Sequence, residues 1–145
     1  MGDNIMTLYH FTDRSNKNTI IQKGIIACTK YTTLSKIREN VVFCWLKKED
    51  NKLPKENEIC FKVTVDENRC LIADMDYISI AMMYHDNINE EGLIRKPKNK
   101  EAVKLLVKLY ELTAVQPFKY YEGMHFTPEV LVAGHIPNCC IELCE

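Results

Sequence analysis

Two stretches near opposite ends of the chain carry side chains suited to chemistry. In Leu8-Tyr9-His10-Phe11-Thr12 a histidine closes a β-prone run just before a polar turn. Its imidazole offers one donor and one acceptor from a rigid backbone, which suits orienting a partner better than moving protons. A single strand histidine is more often a satisfied structural group. In Phe126-Thr127-Pro128-Glu129-Val130-Leu131-Val132 one carboxylate stands at the mouth of an apolar strand, followed by Gly134-His135-Ile136-Pro137. By itself that pattern describes a solvated strand edge. A third grouping is His135 with Cys139 and Cys140, because a thiolate nucleophile needs a nearby base. No orienting third group accompanies it, and Pro137 lies between the histidine and the thiols.

The seven cysteines are odd in number and spread through apolar surroundings, which favours reduced thiols over a disulfide framework. No C-x-x-C pair occurs, so the spacing of a structural zinc site is missing and no metal is expected. Among 145 residues, 19 Lys and Arg face 20 Asp and Glu, a net charge of −1 that excludes a broad basic surface for nucleic acid but not a narrow groove. No apolar run approaches the roughly 18 residues of a membrane span, so no membrane contact is expected. Met1 to Tyr9 holds Asp3 and no Lys or Arg, unlike a secretory leader, and a cytoplasmic location follows as the expectation.

The elements that must position these residues are short. Strands are expected at Ile5–His10, Val41–Leu46, Ile59–Val65, Cys70–Ile72, Glu129–Val132 and Ile141–Leu143. A helix from Asn18 to Lys23 closes on Gly24, and Thr33 caps a second one running through Arg38. The polar stretch Lys47–Glu58, with Pro54, is a loop. A helix from Met75 to about Tyr84 starts on Asp74 and turns Ile78, Ala81, Met82 and His85 to one side. A further helix from Lys98 to about Thr113 turns Ala102, Leu105, Leu106 and Leu109 to the core, with Glu101 and Lys104 towards water. Asn87 to Lys98, with Gly92 and Pro97, is a loop. Strands at both ends with helices between them make one α+β domain over residues 1–145.

The opening Tyr9-His10-Phe11-Thr12, the helix ending Gly24-Ile25-Ile26, and the late Glu129-Val130-Leu131-Val132 with His135-Ile136-Pro137 and Ile141 together resemble the ADP-ribosyltransferase superfamily. The chain is most similar to the DarT-type DNA ADP-ribosyltransferase toxins. The resemblance implies two small, mostly antiparallel sheets flanked by short helices. It implies a glycosyltransferase that takes NAD as substrate, cleaves the nicotinamide glycosidic bond and transfers ADP-ribose, with a nucleic acid, DNA first, as acceptor. An antidote protein often accompanies toxin-like members.

Carried over to matching positions, the resemblance makes Glu129 the catalytic residue and His10 the one that positions NAD. A fixed carboxylate suits a bond cleavage that builds positive charge on a ribose. Thr12, two residues after His10 and on the same face of an extended segment, is a second NAD contact, and Tyr9 a third. A basic residue is expected between the first helix and the next strand, to meet the pyrophosphate or activate the reaction. Arg38 fills that catalytic place, with Arg14 as second choice. Tyr9, Phe43, Trp45, Tyr120 and Tyr121 are the aromatic candidates for stacking on nicotinamide.

The chain departs from the DNA-modifying members in being shorter, notably before the glutamate, where their substrate loop lies. Thr127 stands where many relatives that modify protein side chains have Glu or Gln. Lys96, Lys98, Lys100, Lys104 and Lys119 are the basic residues placed to meet phosphates, or else a solvated face. The alternative reading is a catalytically inactive module of the same fold that binds a protein or nucleic-acid partner.

Overall fold

A computed structural model of the chain describes residues 4–28, 34–52, 55–86 and 100–144. Six strands form two antiparallel three-stranded sheets among these residues. The first sheet holds β1 (Ile5–Asp13), β3 (Glu58–Asp66) and β6 (Ile141–Cys144), with β3 in the centre. Burial alternates along β3: Phe61, Val63 and Val65 face the core while Lys62 and Thr64 are exposed. The expected strand end at His10 falls short, because Phe11, Thr12 and Asp13 keep pairing with Cys60, Ile59 and Glu58.

The second sheet holds β2 (Val41–Cys44), β4 (Cys70–Asp74) and β5 (Pro128–Ala133), with β5 in the centre. Both faces of β5 are covered. Val130 and Val132 pack into the cluster with Leu8, Phe61 and Ile72. Leu131 packs into a second cluster with Val41, Ala73, Ile78 and Tyr110. Alternation therefore puts Glu129 on the Leu131 face, the face that carries Tyr110.

The sheets meet where Tyr9 and Trp45 form an antiparallel bridge, with backbone N–H···O distances of 2.9 and 2.8 Å. β2 is an edge strand and so is β1, so the two edges run side by side there and leave a cleft beyond the bridge.

Three helices complete the described fold. α1 (Lys17–Lys23) buries Ile20 and closes on Gly24, at φ 82° and ψ −173°, as the sequence predicts. The region is one that glycine alone occupies with ease. A Cβ at Gly24 would lie 2.3 Å from the carbonyl oxygen of Ile136. α2 (Met75–Asp86) follows β4 directly, and Asp74 accepts the Asp76 N–H at 3.1 Å as the expected cap.

α3 (Lys100–Thr113) keeps Ala102, Leu106 and Leu109 half-buried but corrects the expected face at Leu105, which is 57 % exposed, while Tyr110 is fully buried. The helix is rotated so that its aromatic residue, which has a buried carboxylate to meet, takes the core position. Likewise Ile78 and Ala81 of α2 are buried, while His85 is exposed. The second helix shrinks to a 3₁₀ turn, Lys36–Arg38, and its expected cap Thr33 lies outside the described residues. Among the described residues no helix is long and apolar enough to cross a membrane.

Gly24→Ala should lower the unfolding free energy by at least about 2 kcal/mol through backbone strain and collision. Gly123→Ala, at φ 90° with no atom within 4 Å, should lose about 1 kcal/mol. Urea midpoints of the two variants check the ranking; equal midpoints would contradict it.

Candidate functional site

Glu129 is 4 % exposed, so the solvated strand edge is overturned. Its Oε2 accepts from Arg38 Nη1 at 2.6 Å and from the Tyr110 hydroxyl at 2.6 Å. Arg38 Nη1 also reaches the Tyr110 oxygen, at 3.2 Å. Three elements supply this triad: β5 the carboxylate, the turn before β2 the guanidinium, and α3 the phenol. A buried ion pair holds only where further hydrogen bonds offset lost hydration, and here the phenol supplies one.

Arg38 is itself 8 % exposed, not the solvated arginine its type favours. Its guanidinium carbon stands 4.5 Å from the centre of the Phe43 ring and 5.8 Å from that of Tyr110. These contacts let a cation sit away from water. Its Nε is buried without a hydrogen-bond partner, the one such side-chain atom among the described residues. Tyr110 stays protonated, since burial first and the adjacent Glu129 charge second push its phenol well above the usual range.

Glu129 and Arg38 both line a cleft of about 600 Å³, together with His10, Thr12, Trp45 and Met75. His10 Nδ1 lies 2.8 Å from the carbonyl oxygen of Phe43. A carbonyl only accepts, so Nδ1 carries the proton and Nε2 is the acceptor in the neutral ring. The imidazole thus ties β1 to β2 and is oriented by that tie. Thr12 Oγ1 accepts from Asn16 Nδ2 at 2.9 Å, fixing the hydroxyl against the start of α1.

Asp74 anchors the approach to Glu129. It is 2 % exposed, and besides capping α2 it accepts the N–H of Phe126 at 3.0 Å and of Thr127 at 3.2 Å. Met75 N–H donates to the Thr127 carbonyl at 2.8 Å. The chain is therefore held two residues before Glu129, which fixes where β5 begins.

The expected residues divide as follows. His10, Thr12, Arg38 and Glu129 come together in the cleft. Tyr9 does not line it; it sits at the backbone bridge to Trp45 that closes this end of the cleft. Arg14 lines a smaller recess with Lys48 and Cys60. Arg38, engaged by Glu129 and Tyr110, is placed to act on the carboxylate and not to reach out to a pyrophosphate. Of the aromatic candidates, Phe43 and Trp45 line the cleft, and Arg38 covers the Phe43 ring. Tyr120 lines a separate recess with His125, and Tyr121 is 67 % exposed.

Lys96 and Lys98 lie outside the described residues, while Lys100, Lys104 and Lys119 are exposed. The sequence reading missed Tyr110. Its signal was spacing: Val103, Leu106, Val107 and Tyr110 fall on one helical face as regularly as the leucines do.

Among the described residues no hydrogen bond joins the His135 ring to Cys139 or Cys140. His135 Nδ1 accepts the Ala27 N–H at 2.8 Å and is turned to backbone, while Cys139 and Cys140 sulfurs lie 3.8 Å apart. Burial pushes the Cys60 and Cys70 thiols up to about 12, and the Cys44 thiol higher still. Among the described residues no cluster of His, Cys, Asp and Glu is arranged to hold a metal ion. No protein-family model and no curated protein matches the chain.

Arg38→Met should lower the unfolding free energy by about 3–5 kcal/mol, because it strands a buried carboxylate. Urea unfolding at neutral pH measures it; a loss under 1 kcal/mol, within the usual range for exposed ion pairs, would show that the pair is not buried in solution.

Proposed function

We propose that the chain is an NAD-dependent ADP-ribosyltransferase in which Glu129 acts on the nicotinamide-bearing ribose and a nucleic acid, DNA first, is the acceptor. The observation that supports this reading is the meeting of His10, Thr12, Arg38 and Glu129 in one cleft. These are four of the five residues that the family resemblance selects, Tyr9 being the fifth, and Arg38 and Glu129 touch although they stand 91 positions apart. The cleft volume, about 600 Å³, lies within the range of small-molecule sites.

The reaction breaks the bond from ribose C1 to the nicotinamide nitrogen. The bonding pair leaves with nicotinamide, and an acceptor lone pair then bonds C1. Positive charge develops on the ribose between the two events. Glu129, ionised and fixed by Arg38 and Tyr110, stabilises that charge without having to reorganise. It also receives the proton that the acceptor sheds. His10, with Nε2 as acceptor, orients a ribose hydroxyl, and Thr12 offers a second polar contact. Arg38 is the one Lys or Arg among the described residues lining the cleft, and it is engaged. Neutral groups such as Asn16, Thr19 and Asn51 are therefore the ones left to meet the diphosphate. A cytoplasmic setting and an antidote protein belong to the same reading.

Labelled NAD offered with single-stranded DNA, RNA and protein in parallel tests it. Wild type should release nicotinamide and label one acceptor, while Glu129→Gln, folded by circular dichroism, should lose at least about 100-fold in rate. Equal rates in the two proteins would remove Glu129 from the chemistry. NAD bound but left uncut by wild type would make the chain the inactive binding module instead.

A further inference from the structure

We propose that Tyr110 is a positioning residue: from α3, outside the cleft, its hydroxyl holds the Glu129 carboxylate in its working orientation, and α3 clamps the turn that carries Arg38. The role in the reaction rests on the function proposed above; the geometry does not. Tyr110 is fully buried and is absent from the cleft wall, so it acts only through its neighbours. Two hydrogen bonds of 2.6 Å converge on a single oxygen of Glu129, Oε2, and one of them is Tyr110's. A donor aimed at one carboxylate oxygen fixes the rotation of the whole group.

The next residue of α3 does the matching task. Ser35, 2 % exposed, donates to Glu111 Oε2 at 2.6 Å. Successive residues of one helix thus grip both ends of the Ser35–Arg38 segment, Glu111 at Ser35 and Tyr110 at Arg38. Packing alone does not require the hydroxyl, since a phenylalanine ring fills the same space among Ala73, Ile78 and Leu131.

Among the described residues, the charged and titratable groups near Glu129 come from four elements. Arg38 faces it from the turn and Tyr110 from α3, and His10 lines the same cleft from β1. Asp74 on β4 is occupied by the N–H groups of Asp76, Phe126 and Thr127. Glu111 is occupied by Ser35. Loss of the phenol therefore removes a donor at 2.6 Å from the ionised carboxylate, and the proton affinity of Glu129 must rise.

The test is a ¹³C-carboxyl NMR titration of Glu129 in wild type and Tyr110→Phe, with kcat and NAD Kd measured on both. The midpoint should move up by about one pH unit, a tenfold rise in proton affinity. The rate constant kcat should fall by about 100-fold from misplacement of the carboxylate. Kd for NAD should stay within threefold, because Tyr110 does not touch the cleft. An unmoved midpoint, or an unmoved kcat in an active protein, overturns the proposal. Should Tyr110→Phe fail to fold, site-specific 3-fluorotyrosine at 110 replaces it. A more acidic phenol donates more strongly, so the midpoint should then move down, and no movement overturns the proposal. A wild type that ignores NAD refutes the function alone, and the titration still decides whether Tyr110 holds Glu129.

Discussion

Taking a carboxylate out of water costs several kcal/mol unless charge and hydrogen bonds meet it, and the structure around Glu129 is organised by that constraint. Arg38 brings the opposite charge and Tyr110 a neutral donor, both to Oε2. The guanidinium needs cover of its own, which the Phe43 ring supplies. The need for these partners explains why α3 presents Tyr110 and not Leu105 to the core, and why the segment before β2 is a tight 3₁₀ turn. Glu111 holding Ser35 secures that turn from the same helix.

The cleft follows from how the two sheets join. Tyr9 and Trp45 pair backbone to backbone, and one residue further along β1 the imidazole of His10 takes the Phe43 carbonyl in place of a backbone donor. A side chain between two edge strands spreads them where a continued ladder would close them. The opening that results has Glu129 and Arg38 on its wall. His10 is in this way structural, and the proposed reaction gives it a chemical task as well. The tie to Phe43 fixes the tautomer of the neutral ring, and in the proposed reaction that tautomer decides what it offers to a sugar hydroxyl.

Much of the architecture was legible because the strands are strongly patterned. Ile59–Val65, Cys70–Ile72 and the Val130-Leu131-Val132 run sit within β3, β4 and β5, and Gly24 closes α1 as its position implied. Burial was harder to read. Glu129 and Arg38 are residue types that favour water, and nothing local in the sequence shows that they meet across 91 positions. Tyr110 was hidden by the leucines around it, because periodicity ranks faces by apolarity and a phenol aimed at a carboxylate carries no such signal. Tyr9, expected as an NAD contact, is instead at the backbone bridge to Trp45 and does not line the cleft, a long-range pairing that no local pattern shows.

The proposed function requires that the cleft hold NAD. The chain has one tryptophan, Trp45, and it lines that cleft, so its fluorescence reports directly on occupancy. Titration of the wild-type protein with NAD should give saturable quenching that competes with a non-hydrolysable NAD analogue. Quenching that only rises linearly with concentration, with no competition, would contradict the account.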